Sequence, residues 1–293
     1  MSHVEHELNS QPECWTRAAE EAGRHAGALP APGERVAFVG CGTSYFMAQA
    51  AAVLRESTGQ GESDAFAASE FPRGRSYDRV VALTRSGTTT EVLDLLGALR
   101  GNARTTAVTA DPATPVTTAA DDLVVLDFAD ERSVVQTRFA TTAFTLLRAH
   151  LGLHPDTAVA DARTALSVPL PEGLVGCTQF TFLGRGWTVG LANEAGLKMR
   201  EAALSWTESY PAMEYRHGPI SITSHGTATW MLGEAPDGLE EQVRGTGGLW
   251  VAGGLDPLAE LLRVQRLAVA VAAARGLDPD RPRHLTRSVI LAP

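Results

Sequence analysis

Short apolar runs alternate along most of the chain with stretches of helical spacing. Residues 36–39, 79–83, 105–109 and 122–126 are continuous apolar or Thr-rich runs of strand length. Residues buried on both faces of a parallel sheet read this way, without polar alternation. The spacing predicts helices from Thr43 and Ser44 to about Glu56, from Glu91 to about Arg100, over 116–120, and from Gln136-Thr137-Arg138 to near Leu151. The plan recurs in the second half: a run at 180–183, the turn Gly184-Arg185-Gly186, a helix over 187–204, strands at 227–232 and 249–252, and an apolar helix over 258–274. Leu8, Trp15, Ala18 and Ala22 predict one helix near the start, and Leu29-Pro30-Ala31-Pro32-Gly33 reads as a linker. Residues 154–171 read as a polar, Pro-flanked connector. The expected organisation is an α/β protein: a helical segment over 1–30, a first domain over 31–155 and a second over 170–293. The two domains are expected to be similar doubly wound parallel sheets in tandem.

Three features carry chemistry. Glu194, Lys198 and Glu201 fall at i, i+4 and i+7, on one face of the predicted 187–204 helix. Two carboxylates and an amine on one stripe can position and transfer protons. Of the 25 Lys plus Arg residues, Lys198 is the only lysine, so the chain's one compact titratable amine lies in this stripe. A plain i,i+4 ion pair with a solvated Glu201 stays open as the alternative. The second feature is Gly40-Cys41-Gly42-Thr43-Ser44, a glycine pair between a strand and a helix. It lacks the third glycine of a dinucleotide fingerprint. The third is the run from Thr84 to Glu91, which places five hydroxyls, one glycine and Arg85 between a strand and a helix N-terminus. A cap needs one hydroxyl; five suit an anion held by hydroxyls, backbone N–H groups and the helix dipole. No Gly-Lys-Ser/Thr follows, so the run is not a P-loop.

Composition narrows the partners. The formal charge is −9 with 20% charged and 44% hydrophobic residues, which suits a globular protein and argues against nucleic acid or an anionic membrane as partner. A small anion remains compatible. Cys14, Cys41 and Cys177 are odd in number and widely spaced, so neither a disulfide framework nor structural zinc is expected. His3 and His6 sit at a fraying end, and no metal or cofactor is expected. No basic-then-apolar leader or long apolar span is seen, so the expected location is cytoplasmic.

These residues in this order resemble the tandem SIS-domain (sugar isomerase) family, including the isomerase half of glutamine–fructose-6-phosphate aminotransferase, phosphosugar isomerases, amino-sugar-phosphate deaminases and fructosamine-phosphate deglycases. The resemblance runs through Glu7-Leu8-Asn9-Ser10-Gln11-Pro12, Gly40 to Ser44, Ala68-Ser69-Glu70-Phe71, Thr84 to Thr89, Glu194 to Glu201, Arg216-His217-Gly218-Pro219 and Pro282 to Val289. It implies flavodoxin-like sheets. It also implies phosphate contacts from Ser44, Thr84, Ser86, Thr89 and the Arg85 backbone, and sugar contacts from Gln136 and Thr137. Glu201 matches the carboxylate that moves the proton between C1 and C2, Glu194 and Lys198 its supporting pair, and His217 the ring-opening histidine supplied by a partner subunit. A homodimer with shared active sites follows from the resemblance. At Arg287 the aminotransferase has an imine-forming lysine. A guanidinium cannot form that bond, so Arg287 is expected to bind or steer the substrate. The residues given include no glutamine-hydrolysing domain, so glutamine-dependent amination is not expected. The expected activity is isomerisation of a hexose 6-phosphate or amino-hexose 6-phosphate, with or without deamination. The competing class is a non-catalytic sugar-phosphate sensor, which would not need the carboxylate stripe.

Overall fold

The computed structural model describes residues 2–291. In chain order the elements are α1 (His3–Asn9), α2 (Gln11–Glu21), β1 (Val36–Gly40), α3 (Thr43–Ser57), β2 (Ser63–Ala67), β3 (Arg79–Leu83), α4 (Thr90–Leu99), β4 (Arg104–Thr109), α5 (Val116–Ala119), β5 (Asp122–Val125) and α6 (Arg138–His150). They continue with α7 (Asp156–Ser167), β6 (Gln179–Gly184), α8 (Thr188–Ala203), β7 (Trp206–Pro211), β8 (Thr227–Met231), α9 (Leu239–Gly245), β9 (Leu249–Ala252) and α10 (Pro257–Ala274). No helix among the described residues is long and apolar enough to cross a membrane.

The chain divides into two compact units, Glu13–Pro155 with His284–Pro293, and Met1–Pro12 with Asp156–Arg283. The first holds a five-stranded parallel sheet in the order β2-β1-β3-β4-β5. The second holds a four-stranded parallel sheet in the order β7-β6-β8-β9. Every residue of β1, β3 and β8 is buried, which is why these strands read as apolar or Thr-containing runs without polar alternation to a solvent face, Arg79 at the start of β3 being the one charge. In the five-stranded unit Val39, Val80, Ala82, Leu95 and Leu96 meet in one core between β1, β3 and α4. Trp15 of α2 is fully buried and donates from Nε1 to Thr141 Oγ1 of α6 at 3.0 Å. In the four-stranded unit Leu183, Tyr215, Met231, Leu239 and Val243 form a core.

Four elements depart from the expectations. The single amino-terminal helix is two, because Pro12 lacks an N–H and would clash with a continuing turn; α1 ends at Ser10, and α2 starts with proline in its first turn. The connector at 154–171 contains α7, whose Ala158, Val159, Ala162 and Ala165 are buried at helical spacing. Small side chains gave that stripe little hydrophobic contrast. Edge strands β2 and β7 were not anticipated; their residues are mostly half-exposed and include Asp64 and Glu208. A strand paired on one side needs no apolar run.

The unit boundaries also differ from 1–30, 31–155 and 170–293. His3 and Val4 donate from their backbone N–H to Asp280 at 2.7 and 3.0 Å, which ties the start of the chain to the four-stranded unit. The tail from His284 instead pairs with Thr88 and Thr90 of the five-stranded unit.

Candidate functional site

In the five-stranded unit β1 pairs with β2 on one side and β3 on the other, so the strand order reverses between β1 and β3. Ligands of such sheets bind at the carboxyl ends of the strands flanking that reversal. The two loops singled out by their sequence, 40–44 and 84–89, leave from those two ends. Their local geometry explains their glycines. A Cβ on Gly40 would lie 2.7 Å from the Ser44 carbonyl carbon, so only glycine lets α3 start this close to β1. Gly87 has φ +61°, and a Cβ there would lie 2.1 Å from Thr114 Oγ1.

Ser44 and Gln136, 92 residues apart in the chain, are brought together, with Ser44 Oγ donating to Gln136 Oε1 at 3.4 Å. Ser86 Oγ accepts from the Thr88 N–H at 3.3 Å. Thr89 is the extended N-cap of α4 and makes no side-chain cap bond, so its hydroxyl is not engaged in closing the helix. The Thr84 hydroxyl is sealed from solvent and has no hydrogen-bond partner among the described residues. Cys41 lies within the first of these loops; burial and then the nearby Glu91 push its thiol up to about 11.

The tail adds a layer that sequence reasoning did not anticipate. Thr88 Oγ1 donates to Ser288 Oγ at 2.9 Å, Thr90 N to Val289 O at 3.2 Å, and Leu291 N to Thr90 Oγ1 at 2.9 Å. Arg287 is turned onto its own unit: Nη2 meets Asp130 Oδ1 at 2.5 Å and Nη1 donates to Glu131 O. Arg85 is 3% exposed and donates to Ser133 O and Arg287 O at 3.0 Å each. Thr137 is buried, and both its N–H and its hydroxyl donate to Glu131 Oε1, at 2.6 and 2.9 Å. Glu131 was missed. Its one signal was an acidic residue shortly before a helix start, which does not say that the side chain turns inward.

In the four-stranded unit α8 carries the stripe. A Cβ on Gly184 would lie 2.3 Å from Thr188 O, so the helix again leaves its strand at a close approach. Leu204, at φ +51°, ends α8, and Arg275 Nη1 donates to the last-turn carbonyl of Ala203 at 2.6 Å. Lys198 Nζ lies 2.5 Å from Glu201 Oε2 and 3.4 Å from Glu194 Oε1. The side chains of Lys198 and Glu194 are 1% exposed and that of Glu201 is 19% exposed. Of the three, then, Glu201 is the group a small molecule can touch. His217 is exposed at the end of the 3-10 turn Glu214–His217, with no bonded partner among the described residues. Ser209 Oγ donates to Asn193 Oδ1 at 2.7 Å, tying α8 to β7.

A cavity of about 330 Å³ lies elsewhere in the five-stranded unit, lined by Phe71, Arg73, Tyr77, Leu95 and Asn102 among others. It touches Phe71 of the Ala68–Phe71 stretch but none of the residues expected to contact the substrate.

Residues 31–151 match the model of the SIS domain family. The chain is 26% identical over 305 residues to the glutamine–fructose-6-phosphate aminotransferase [isomerizing] of Methanothermobacter thermautotrophicus, covering 87% of this chain and 51% of that protein. It is 28% identical to the enzyme of the same name from Sulfolobus acidocaldarius, covering 87% and 50%. The chain thus spans about half the length of the curated relatives it matches. Among solved structures it is similar to glucosamine-6-phosphate deaminase from Thermotoga maritima, with TM-score 0.82, 25% identity, and 99% and 100% of the two chains covered. Tagatose-6-phosphate ketose/aldose isomerase from Escherichia coli shares the fold at TM-score 0.82 and 17% identity, covering 100% and 97%. The residues that match the SIS domain model, 31–151, span the parallel five-stranded sheet and its carboxyl-edge hydroxyl loops.

Proposed function

We propose that the chain is a phosphosugar isomerase acting on a hexose 6-phosphate or amino-hexose 6-phosphate, with deamination as a further step where the substrate carries nitrogen. The observation that carries this reading is the α8 stripe: a buried lysine between two carboxylates, of which Glu201 alone reaches the surface. A surface ion pair would not bury the amine and one acid so completely.

In the proposed reaction the Glu201 carboxylate removes the proton from C2 of the open-chain aldose; the C–H pair forms the C1–C2 double bond while the C1 carbonyl pair moves to O1, which takes a proton from water, giving the enediol. The same acid then gives its proton to C1 as the double-bond pair forms the new C–H bond, and the O2–H proton passes to water as the C2 ketone forms. Lys198 donates to Oε2, which leaves Oε1 as the proton-transferring oxygen. Glu194 and Lys198, being buried, act through Glu201 rather than on the substrate. His217, contributed by a partner subunit of a homodimer, opens the sugar ring, its imidazole passing a proton between the ring oxygen and the anomeric hydroxyl. Ser44, Ser86, Thr89 and the backbone of 84–89 hold the phosphate through neutral donors and the dipole of α4. Gln136 meets the sugar, and Thr137, bonded to Glu131 through its N–H and hydroxyl, fixes the turn that carries Gln136. No cofactor takes part.

The common strand order of the two sheets, with Gly40 and Gly184 at equivalent strand–helix junctions, supports reading the units as two related SIS-type domains in tandem. The relatives' names, an isomerizing aminotransferase, a deaminase of glucosamine 6-phosphate and a ketose/aldose isomerase, share chemistry at C1 and C2 and support the substrate class.

The test is a panel of hexose and amino-hexose 6-phosphates, scored for solvent deuterium entering C1 or C2 and for ammonia release. Exchange with at least one sugar is expected, with Glu201→Gln abolishing exchange while binding persists and Ser86→Ala weakening binding. Binding without exchange across the panel would sink the isomerase and leave a sensor. Normal turnover by both variants would show that the site is misplaced.

A further inference from the structure

Arg85 sits inside the hydroxyl-rich run, yet its side chain serves the chain. Its guanidinium donates to Ser133 O at 3.0 Å, Val134 O at 3.4 Å and Arg287 O at 3.0 Å, and Nη1 stands 3.6 Å from Glu131 Oε2. The side chains are 3% and 0% exposed. Glu131 turns its other oxygen to the start of α6: Oε1 accepts from Thr137 N at 2.6 Å, Thr137 Oγ1 at 2.9 Å and Arg138 N at 2.7 Å, and Oε2 accepts from Phe139 N at 3.3 Å. A carboxylate from six residues upstream thus does what the N-cap Thr137 does not, since Thr137 makes no side-chain cap bond of its own.

Two consequences follow. The positive end of α6 is already neutralised by Glu131, so an anion on the hydroxyl loop gains nothing from it. Nor does Arg85 offer a cation to that anion, because its bonds run to three backbone carbonyls. Instead, the pair joins three segments: the 84–89 loop, the turn over 131–137 and the tail at Arg287. The turn ends in Gln136, which Ser44 already meets.

We propose that Arg85 and Glu131 are positioning residues, a buried clamp that sets Gln136 and Thr137 against the hydroxyl loop and thereby makes recognition of the ligand's body depend on the clamp rather than on the phosphate contacts. This rests on the reading of the loop as the seat of a phosphate ester. It separates two roles that an arginine in a phosphate loop would ordinarily combine: here the phosphate is held by neutral donors, and the charge serves geometry.

The test compares two probes by calorimetry, inorganic phosphate and fructose 6-phosphate, on the wild type, Arg85→Gln, Glu131→Gln, the double variant and Arg85→Lys, alongside melting temperature and steady-state kinetics. Inorganic phosphate should bind all folded variants within about threefold of wild type. Fructose 6-phosphate should lose on the order of tenfold, since small misplacements of a contacting group have effects of that size. KM should rise with that loss while kcat changes less, and the double variant should be no worse than either single, as for two halves of one device. Should Arg85→Gln fail to fold, Arg85→Lys carries the test: it keeps the cation but cannot bridge three carbonyls. A parallel loss of both probes would make Arg85 a direct anion ligand and overturn the clamp. A lowered melting temperature with unchanged affinity for both probes would reduce it to a stability element. A wild type that binds neither probe would overturn the phosphate-ester reading and the clamp together.

Discussion

Lys198 stands between Glu194 and Glu201 on one face of α8, 3.4 Å from the first and 2.5 Å from the second, and it is closed from solvent together with Glu194. A helix places i, i+4 and i+7 on one stripe; packing decides which of the three meets water. That asymmetry gives different consequences for each member. Lys198→Met should destabilise by about 3–5 kcal/mol, because it leaves the buried Glu194 without its cation. Glu201→Gln should cost no more than about 1 kcal/mol, since that group is partly solvated. Urea unfolding of the two variants checks the ordering, and equal losses would contradict the burial asymmetry.

Gly87 tests the loop. Alanine there would adopt a left-handed conformation and meet Thr114 and Val116. Gly87→Ala should therefore lose more than about 1 kcal/mol of stability and weaken binding of inorganic phosphate. Gly74→Ala is the control: that glycine has open space around its Cβ position and no positive φ. Similar behaviour of the two variants would show that the 84–89 loop tolerates rearrangement.

Asp122 closes the amino end of the five-stranded sheet. Its carboxylate accepts from Arg104 Nε at 2.6 Å and from the buried Arg79 Nη1 at 2.9 Å. The Arg104 hydrogen bond, opposed by desolvation and helped by Arg79, holds the acid below its ordinary value. A depressed folded-state pKa contributes stability that is present above the unfolded value, near 3.9, and is lost as pH falls through the folded one. Asp122→Asn should thus cost about 1 kcal/mol at neutral pH, given solvent screening on the Arg104 side. The gap to wild type should shrink below about pH 4. Unfolding midpoints at pH 7, 4 and 3 read this out; a gap independent of pH would show that the ion pair is not its source.

Cys41 reports on the same edge as the hydroxyl loops. With its thiol pushed up to about 11, its alkylation should rise about tenfold per pH unit between pH 7 and 10, following the thiolate fraction. Cys14 is also raised to about 11 and, like Cys177, is buried, so Cys41 should be modified first. Mass spectrometry after timed iodoacetamide treatment would show the order. Rapid labelling of Cys41 at pH 7 would mean that the turn opens in solution.

The legible parts of this fold were those in which a residue's neighbours in sequence are also its neighbours in space. Strand β3 was placed residue for residue at Arg79–Leu83, and β9 at Leu249–Ala252, because a short apolar run of strand length is a local signal. The α8 stripe was legible because helical spacing is local. What escaped was contextual. Edge strand β7 pairs only with β6 and carries Thr207, Glu208 and Ser209, so no run marked it. Helix α7 hides its stripe behind alanines. The side chains of Arg85, Thr137 and Arg287 are each engaged with Glu131, Asp130 or a backbone carbonyl of their own unit, partners that no local spacing marks.

By itself, the sequence determined the α/β alternation, the two glycine-bearing strand–helix junctions, the concentration of hydroxyls at 84–90 and the acid–amine–acid spacing on α8. All four depend on backbone conformation and periodicity over a few residues. Only the tertiary structure decided that Ser44 meets Gln136, that Glu131 caps α6 from afar, that the tail from His284 lies on Thr88 and Thr90, and that Glu201 rather than Glu194 faces solvent. Those outcomes depend on which buried polar groups find partners once segments far apart in sequence are packed together, and a buried donor or acceptor takes the partner that packing supplies.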